Sequence, residues 1–380
     1  MLRVCYFGTY RSEYSRNQIL IKGLRRVGVE VIECHAKLWT GIDDRVRAAS
    51  GGWLSLRFLM RVLQAYVTLL RKFRQIDNFD VMVVGYPGQF DVYLARILTW
   101  LRRKPLVWDV LMSIYLVSIE RKLDQRSPVT VWALKWVERI ACRLPDLLII
   151  EGPEYRDWFY QIHNVTPDRF RMVLLGADDD IYHPLENSKK GKNCFTVLYH
   201  GSFVRSHGIP TILKAADLLQ MDPKIEFIFI GTGPEEKQAV RLAKHWGLRN
   251  VSFLGFVEMD ELVRHISQAD ICLGVFGDTT QSMMTIQNKI FEAMAMGKAI
   301  ITSDSLALRA SMTHGKHIYL CERGNPQSLV EAICDLKCDV SKRQRLGENA
   351  YQLFCERYNT ENIGRNLAKH FYELVGQDSG

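Results

Sequence analysis

The sequence lacks the features that would place the chain across a membrane, outside the cell or around a metal ion. No stretch of about 18 uncharged apolar residues occurs, and residues 1–8 are too short and too soon interrupted for a signal-peptide core. The nine cysteines are odd in number and have no paired metal-ligand spacing, which argues against a disulfide framework and a structural zinc site. We therefore expect reduced thiols, no bound metal and a location on the cytosolic side.

Glycine is scarce where a dinucleotide-binding turn would need it. Residues 3–7 read as a strand, and the turn that follows contains Gly8 and Thr9 but not the three glycines that admit a pyrophosphate. A helix predicted over 17–27 and a strand over 29–34 complete a βαβ unit. The pattern predicts a nucleotide-type fold without a dinucleotide fingerprint.

The same alternation of strands and helices then occurs twice along the chain. With 380 residues, of which 47% are hydrophobic, the chain is long enough for two domains with separate cores. Further strands are predicted at 80–84, 106–110, 146–150 and 170–174, and then at 195–199, 225–230, 251–254, 270–276, 298–303 and 317–321. We predict an α/β protein with Rossmann-like doubly wound domains at 1–185 and 186–357, followed by a C-terminal helix within 358–380.

Positive charge is concentrated in the first half. The net charge is +8, and residues 1–185 hold 27 Lys and Arg against 20 Asp and Glu, which predicts an acidic partner for this half. The helix predicted over 53–74 places Arg57, Arg61 and Lys72 along one stripe. Two interpretations stay open: a core-facing helix with a basic outer edge, or peripheral docking on an anionic membrane surface.

A helix predicted over 287–296 carries the most specific chemistry. Asn288, Lys289 and Glu292 share its polar face within one turn. A cation in the first turn is disfavoured by the helix dipole. A bound phosphate would make the arrangement favourable, because it would accept hydrogen bonds from the free amides and pair with the ammonium. Glu292 could then accept from a sugar hydroxyl. The alternative is a solvated Lys289–Glu292 pair three residues apart.

This segment resembles a known signature. Residues 292–301, EAMAMGKAII, resemble the donor-binding motif of family-4 glycosyltransferases of the GT-B fold, and Asn288-Lys289 resembles the lead-in of one branch of that family. The chain departs from the pattern where Met284 replaces the first Glu, Ala299 replaces Pro and Ala310 replaces an acidic residue. The resemblance implies two domains that face each other across a cleft, with the C-terminal helix of 358–380 packed back on the first domain. It also implies a metal-independent, retaining transfer of a sugar from a nucleoside diphosphate.

The resemblance also implies roles for single residues. Arg205 and Lys289 would bind the diphosphate and Glu292 the ribose, with no resident cofactor. Other expected contacts of the nucleotide sugar are Gly8, Thr9, Gly231, Gly233, Phe256 and Asn288. Asp278 is our hypothesis for the substitute of the missing Glu.

On the acceptor side, Asp109 lies at the end of a predicted strand and is the candidate catalytic carboxylate, with a helix-capping role as the open alternative. The expected acceptor is a glycan or a lipid-linked sugar, and no nucleic acid is expected. Two competing functions remain: a nucleotide-sugar epimerase, and a catalytically inactive partner subunit.

Overall fold

Two six-stranded parallel sheets organise the computed structural model, which describes residues 1–38, 56–185 and 194–376. They belong to two units: a first unit of Met1–Leu174 with Thr360–Gly380, and a second unit of Leu175–Asn359. The chain thus divides after Leu174 and after Asn359, where the sequence predicted 185 and 357. Residues 186–193, which the sequence predicts to be a polar linker rich in Lys and Gly, and part of the helix predicted over 53–74 lie outside the described residues. Two doubly wound α/β domains confirm the predicted fold class.

The first unit has the strand order β2-β1-β3-β4-β5-β6. Its strands are β1 (Arg3–Gly8), β2 (Glu30–His35), β3 (Val81–Val84), β4 (Leu106–Asp109), β5 (Leu147–Ile150) and β6 (Phe170–Met172). Its helices are α1 (Ser15–Arg26), α2 (Leu56–Arg74), α3 (Asp91–Arg102), α4 (Ile114–Glu120), α5 (Leu123–Arg126), α6 (Pro128–Ala141) and α7 (Pro153–His163). A last helix of this unit comes from the end of the chain.

Both faces of this first sheet are covered, so its central strands are apolar throughout. Residues 81–84 and 147–150 are buried at every position, as expected for parallel strands between two helical layers. On one face α1 meets the C-terminal helix α16 (Thr360–Val375), where Gly23 and Gly364 approach so closely that a Cβ on either would collide with the other's backbone. On the other face Phe73 of α2 packs edge-to-face on Phe7, with ring centroids 6.4 Å apart.

The second unit has the strand order β12-β11-β10-β7-β8-β9. Its strands are β7 (Phe195–His200), β8 (Ile225–Ile230), β9 (Val251–Gly255), β10 (Ile271–Leu273), β11 (Ala299–Ser303) and β12 (Tyr319–Cys321). Its helices are α8 (Ile209–Leu218), α9 (Glu236–His245), α10 (Met259–Gln268), α11 (Thr280–Met284), α12 (Asn288–Ala295), α13 (Leu306–Ser311), α14 (Pro326–Cys338) and α15 (Val340–Arg357). Strands β8 and β9 extend the sheet on one side of β7, and β10, β11 and β12 extend it on the other. The carboxyl ends of β7 and β10 therefore border a topological switch point.

One local prediction was wrong. The sequence predicts a loop between the strand at 270–276 and the helix at 287–296, but these residues contain the short helix α11. Thr279 caps this helix by accepting a hydrogen bond from the Ser282 amide at 3.2 Å, which satisfies one of the free first-turn donors. Among the described residues, no helix has both the length and the apolar character required to cross a bilayer.

Candidate functional site

The loop after β7 lies at the switch point of the second sheet. It contains a single 3-10 turn, Arg205–His207, that leads into α8 through Gly208. Gly208 has φ +66°, and a Cβ there would collide with the backbone of Phe276 and Gly277. The Phe276 amide also donates to the carbonyl of His207 at 3.0 Å. The β7 loop is therefore held against the chain that leaves β10.

Gly231 and Gly233 bring the next loop against the β7 loop. A Cβ on Gly231 would collide with the Gly201 carbonyl oxygen, and one on Gly233 would meet the backbone of Phe203. The Phe203 amide donates to Thr232 at 3.0 Å. The structure thus gives these two glycines a packing role at the edge where a phosphate was predicted to bind.

The helix α12 starts at this same edge without a side-chain cap. Its N-cap residue, Gln287, makes no capping hydrogen bond, and the first turn holds no acidic residue. The amides of the first turn therefore lack the side-chain acceptor that commonly satisfies them. A helix of eight residues with such a start favours an anion.

Lys289 lies in that first turn and is only 6% exposed. Its Nζ lies 4.0 Å from the ring centroid of Tyr199 and 3.4 Å from Nδ1 of His207. Within the described residues, no carboxylate lies within 4.0 Å of this ammonium. Burial lowers the pKa of Lys289 to about 7, and the more distant charge of Glu292 only partly opposes this effect. The site contains a buried cation without a close counter-ion.

His207 is a neutral neighbour of this lysine. Its Nδ1 lies 2.6 Å from the Ser202 carbonyl oxygen and 2.7 Å from the Tyr199 hydroxyl. Burial, and then the charge of Lys289, lower the pKa of His207 well below its ordinary value. An uncharged imidazole so close to Lys289 adds no positive charge of its own.

Glu292, one turn after Lys289, is oriented by a histidine that the sequence analysis did not select. His200 ends β7, is 3% exposed, and its Nε2 lies 2.8 Å from Oε2 of Glu292. This contact fixes the carboxylate and leaves Oε1 for a second donor. The position of His200 at the carboxyl end of a predicted strand was the available signal.

The other predicted contacts of the second unit differ in their exposure. Arg205 is exposed. Burial raises the pKa of Glu235, and the charge of Arg205 partly offsets this rise. Phe256, which follows β9, is 74% exposed, and Asn288 is half-buried in the first turn of α12.

The segment that carries Asp278 is anchored by Arg323, which follows β12. Asp278 is exposed, whereas Met284, at the position of the missing Glu, is buried at the end of α11. Arg323 donates to the carbonyl of Gly277, to the Ser282 hydroxyl and to the carbonyl of Asp304. Asp278 is thus accessible to solvent, whereas residue 284 is buried.

In the first unit, the turn with Gly8 and Thr9 is already filled by a carboxylate of the protein. The Thr9 amide donates to Oδ2 of Asp91 at 2.6 Å, its hydroxyl donates at 3.0 Å, and the Tyr66 hydroxyl donates to Oδ1 at 3.0 Å. Burial raises the pKa of Asp91. A Cβ on Gly8 would meet Oδ2 at 2.6 Å, so this turn is packed against Asp91, and the contact of Gly8 and Thr9 with a donor phosphate stays a prediction.

Asp109 is likewise committed to a partner within the protein. Arg16 donates to both of its oxygens, at 2.8 Å through Nη2 and 3.1 Å through Nε, and both side chains are 1% exposed. The remaining Arg16 nitrogen donates to the carbonyls of Val173 and Leu174. Because this carboxylate is enclosed, we propose a structural role for Asp109, and its catalytic role stays a prediction.

The Asp-x-Asp of residues 178–180 forms a local turn, in which the Asp180 amide donates to Oδ1 of Asp178 at 3.0 Å. Within residues 1–38, 56–185 and 194–376, no group of three or more His, Cys, Asp or Glu side chains is placed to hold a metal ion.

Comparison with known proteins extends this geometry to a class of enzyme. The family model described as "Glycosyl transferases group 1" matches residues 194–339, which lie within the second unit. The alpha-D-kanosaminyltransferase of Streptomyces kanamyceticus is 22% identical over 280 residues, covering 71% of each chain. The N-acetyl-alpha-D-glucosaminyl L-malate synthase of Bacillus anthracis is 22% identical, and its alignment spans 48% of this chain and 46% of that protein.

A solved structure shares the fold over nearly the full length. Alr3699/HepE of Anabaena, in complex with UDP and glucose, has a TM-score of 0.69 at 16% identity, covering 98% of this chain and 100% of that one. The second unit therefore carries a glycosyltransferase group 1 domain, as the resemblance implied, and the chain shares the two-domain architecture of GT-B glycosyltransferases.

The structural role of Asp109 can be tested by substitution. We expect Asp109→Asn to lower the free energy of unfolding by about 3 kcal/mol, because it leaves the buried Arg16 guanidinium without its charged partner. The matched control is Glu30→Gln, which breaks the half-exposed two-point pair between Arg3 and Glu30 and should cost less than about 1 kcal/mol. Chemical denaturation measures both. A catalytic Asp109 would instead show unchanged stability and lost transfer.

Proposed function

We propose that this chain, a glycosyltransferase, transfers a sugar from a nucleoside-diphosphate sugar to a glycan or lipid-linked acceptor, with retention of configuration. The observation that carries the proposal is the buried, incompletely compensated Lys289 at the uncapped start of α12. Depressing a lysine pKa from 10.5 to about 7 corresponds to roughly 5 kcal/mol against the charged form. A diphosphate would recover that free energy.

The donor is expected to contact both sides of the switch point. Lys289 and the first-turn amides of α12, with Asn288, hold the β-phosphate, and the exposed Arg205 closes on the diphosphate from the β7 loop. Glu292, oriented by His200, accepts from a ribose hydroxyl. Phe256 offers a flat apolar face to the base.

These groups would act at the moment when the bond to the sugar breaks. Negative charge then accumulates on the β-phosphate, and cations and amides already fixed in place stabilise it without reorganisation. The proposal therefore needs no resident cofactor and no bound metal ion. Because Lys289 is held against Tyr199 and His207 before the donor arrives, its ammonium is positioned in advance.

We assign the acceptor to the basic first unit, and its contact with a membrane is treated below. All nine cysteines carry free thiols, which supports a reducing compartment such as the cytosol. The proposal includes a role in the assembly of cell-surface polysaccharides. The branch of the family with the Asn-Lys lead-in is part of the same proposal.

The test is a panel of UDP-, GDP- and ADP-sugars incubated with the chain, with and without sugar acceptors. The proposal expects nucleotide release that depends on an acceptor, together with thermal stabilisation by the matching nucleoside diphosphate. An altered sugar without transfer would identify the epimerase. Absence of both stabilisation and release over the whole panel would identify the inactive partner subunit suggested by Met284, Ala299 and Ala310.

We expect Lys289→Met to lower kcat/KM for the donor by about 100- to 1,000-fold, because the substitution removes a fixed cation from the developing charge. The control is Lys237→Met, an exposed lysine of α9 in the same unit, which should leave kcat/KM unchanged. Steady-state nucleotide release measures both variants. Equal activity of Lys289→Met and the parent chain would refute the diphosphate contact.

The same lysine predicts how donor affinity changes with pH. With a pKa of about 7 in the free chain, Lys289 is protonated below pH 7 and loses its proton above it, whereas a bound diphosphate favours the protonated form. Nucleoside diphosphate affinity, measured by calorimetry, should therefore fall between about pH 7 and 9. In Lys289→Arg, which stays charged, the fall should disappear.

Asp278 is our proposal for the carboxylate that holds the sugar hydroxyls. We expect Asp278→Asn to raise KM for the nucleotide sugar about tenfold, the equivalent of one lost charge-assisted hydrogen bond, and to leave nucleoside diphosphate affinity unchanged. Asp260→Asn, an exposed carboxylate of α10, is the control. Unaltered KM and kcat in Asp278→Asn would eliminate this assignment.

A further inference from the structure

Three neighbouring helices of the first unit expose apolar side chains on one face. On α6 the exposed residues Val129, Trp132, Trp136 and Ile140 recur at helical spacing. Trp132 is 63% exposed, and its ring lies 6.3 Å from that of Trp136. A surface helix normally turns such a stripe toward the core.

The two other helices repeat the pattern. On α3 the side chains of Ile97, Trp100 and Leu101 are exposed, and Trp100 reaches 75%. Along the whole length of α2, six apolar side chains are exposed: Leu56, Leu59, Met60, Leu63, Val67 and Leu70. Only Ala65, Leu69 and Phe73 of α2 are buried against the unit.

Hydrogen bonds place the three helices side by side. The Tyr66 hydroxyl of α2 donates to Asp91 of α3 at 3.0 Å, and the Tyr93 hydroxyl of α3 donates to the Val137 carbonyl of α6 at 2.7 Å. We group the exposed apolar residues of these adjacent helices α2, α3 and α6 as one surface, which we call the helical face. Exposed apolar surface on this scale marks an interaction site.

The charges that border the helical face have predominantly one sign. Helix α2 holds five cations and no carboxylate, and Arg71 and Arg74 at its end are exposed. Cations also follow the stripes of α3 and α6, at Arg103 and Arg143, and the Arg139 guanidinium lies 5.1 Å from the centre of the Trp136 ring. Exposed carboxylates are fewer, and Asp146 among them is paired with Arg96 at 2.9 Å.

We propose that the helical face docks on an anionic phospholipid bilayer, with Trp100, Trp132 and Trp136 in the headgroup region. Tryptophan prefers this region because its ring is apolar and its N–H is polar. The bordering cations are attracted to acidic lipids. This proposal specifies the surface and the lipid partner of the membrane contact. It rests on the proposed function only for the identity of the acceptor.

A second copy of the chain fits the same face less well. A two-fold symmetric dimer would place the same patch on both subunits, so cations would meet cations across the interface. A bilayer with acidic headgroups provides the complementary charge. The helical face is also apolar in its centre and basic at its border, the arrangement of segments that lie in the plane of a membrane surface.

The experiment is flotation of the full chain with vesicles of phosphatidylcholine alone and of phosphatidylcholine mixed with phosphatidylglycerol. We expect binding to the mixed vesicles, weakened by added salt. Trp132→Ser/Trp136→Ser and Arg71→Glu/Arg74→Glu should each lower the bound fraction at least several-fold. The control is Leu306→Ser, which removes a side chain that is 74% exposed on the second unit and should bind as the parent chain does.

Two results would overturn the proposal. One is equal flotation of the parent chain and both double variants, and the other is a dimer in light scattering that the same variants dissociate. Nucleoside diphosphate affinity is measured on both double variants and should not change, because the residues substituted in them lie in the first unit. Loss of vesicle binding with intact nucleotide affinity therefore tests the surface separately from the transfer reaction.

Discussion

The burial of Lys289 against Tyr199 and His207 is the constraint on which the rest of the second unit depends. A lysine in this position is costly, because burial removes water from its ammonium and no described carboxylate compensates it closely. The surrounding geometry maintains the arrangement: Gly201 leaves room for the side chain, and Gly208 holds the β7 loop against the chain after β10. Proteins commonly retain an energetically unfavourable local arrangement at a site where a bound ligand offsets its free-energy cost.

The two units place groups of opposite charge at the same structural position. Each has a parallel sheet whose first strand ends in a glycine-containing turn, at Gly8 and at Gly201. In the first unit the turn is occupied by the carboxylate of Asp91, whereas in the second it lies beside the ammonium of Lys289. An internal anion excludes a phosphate and an uncompensated cation attracts one. This difference, and not the fold, is our reason for proposing that the donor binds to the second unit.

The features predicted correctly from the sequence are local ones. Strand and helix periodicity gave both sheets, and the spacing of Lys289 and Glu292 identified the polar face of α12, because these patterns involve neighbouring residues. The contacts that changed the interpretation join residues far apart in the chain: His200 and Glu292 are 92 positions apart, and Arg16 and Asp109 are 93. The short helix α11 was missed because Arg323, beyond the predicted loop, anchors it.

The central claim is that Lys289 is kept ready for a diphosphate, and NMR titration of isotope-labelled lysine side chains tests it most directly, with Lys289→Arg to assign the signal. The account predicts a Lys289 pKa of about 7 in the free chain and a rise once saturating nucleoside diphosphate is bound. An ordinary value near 10.5 in the free chain, or a value that the nucleotide leaves unchanged, would contradict it.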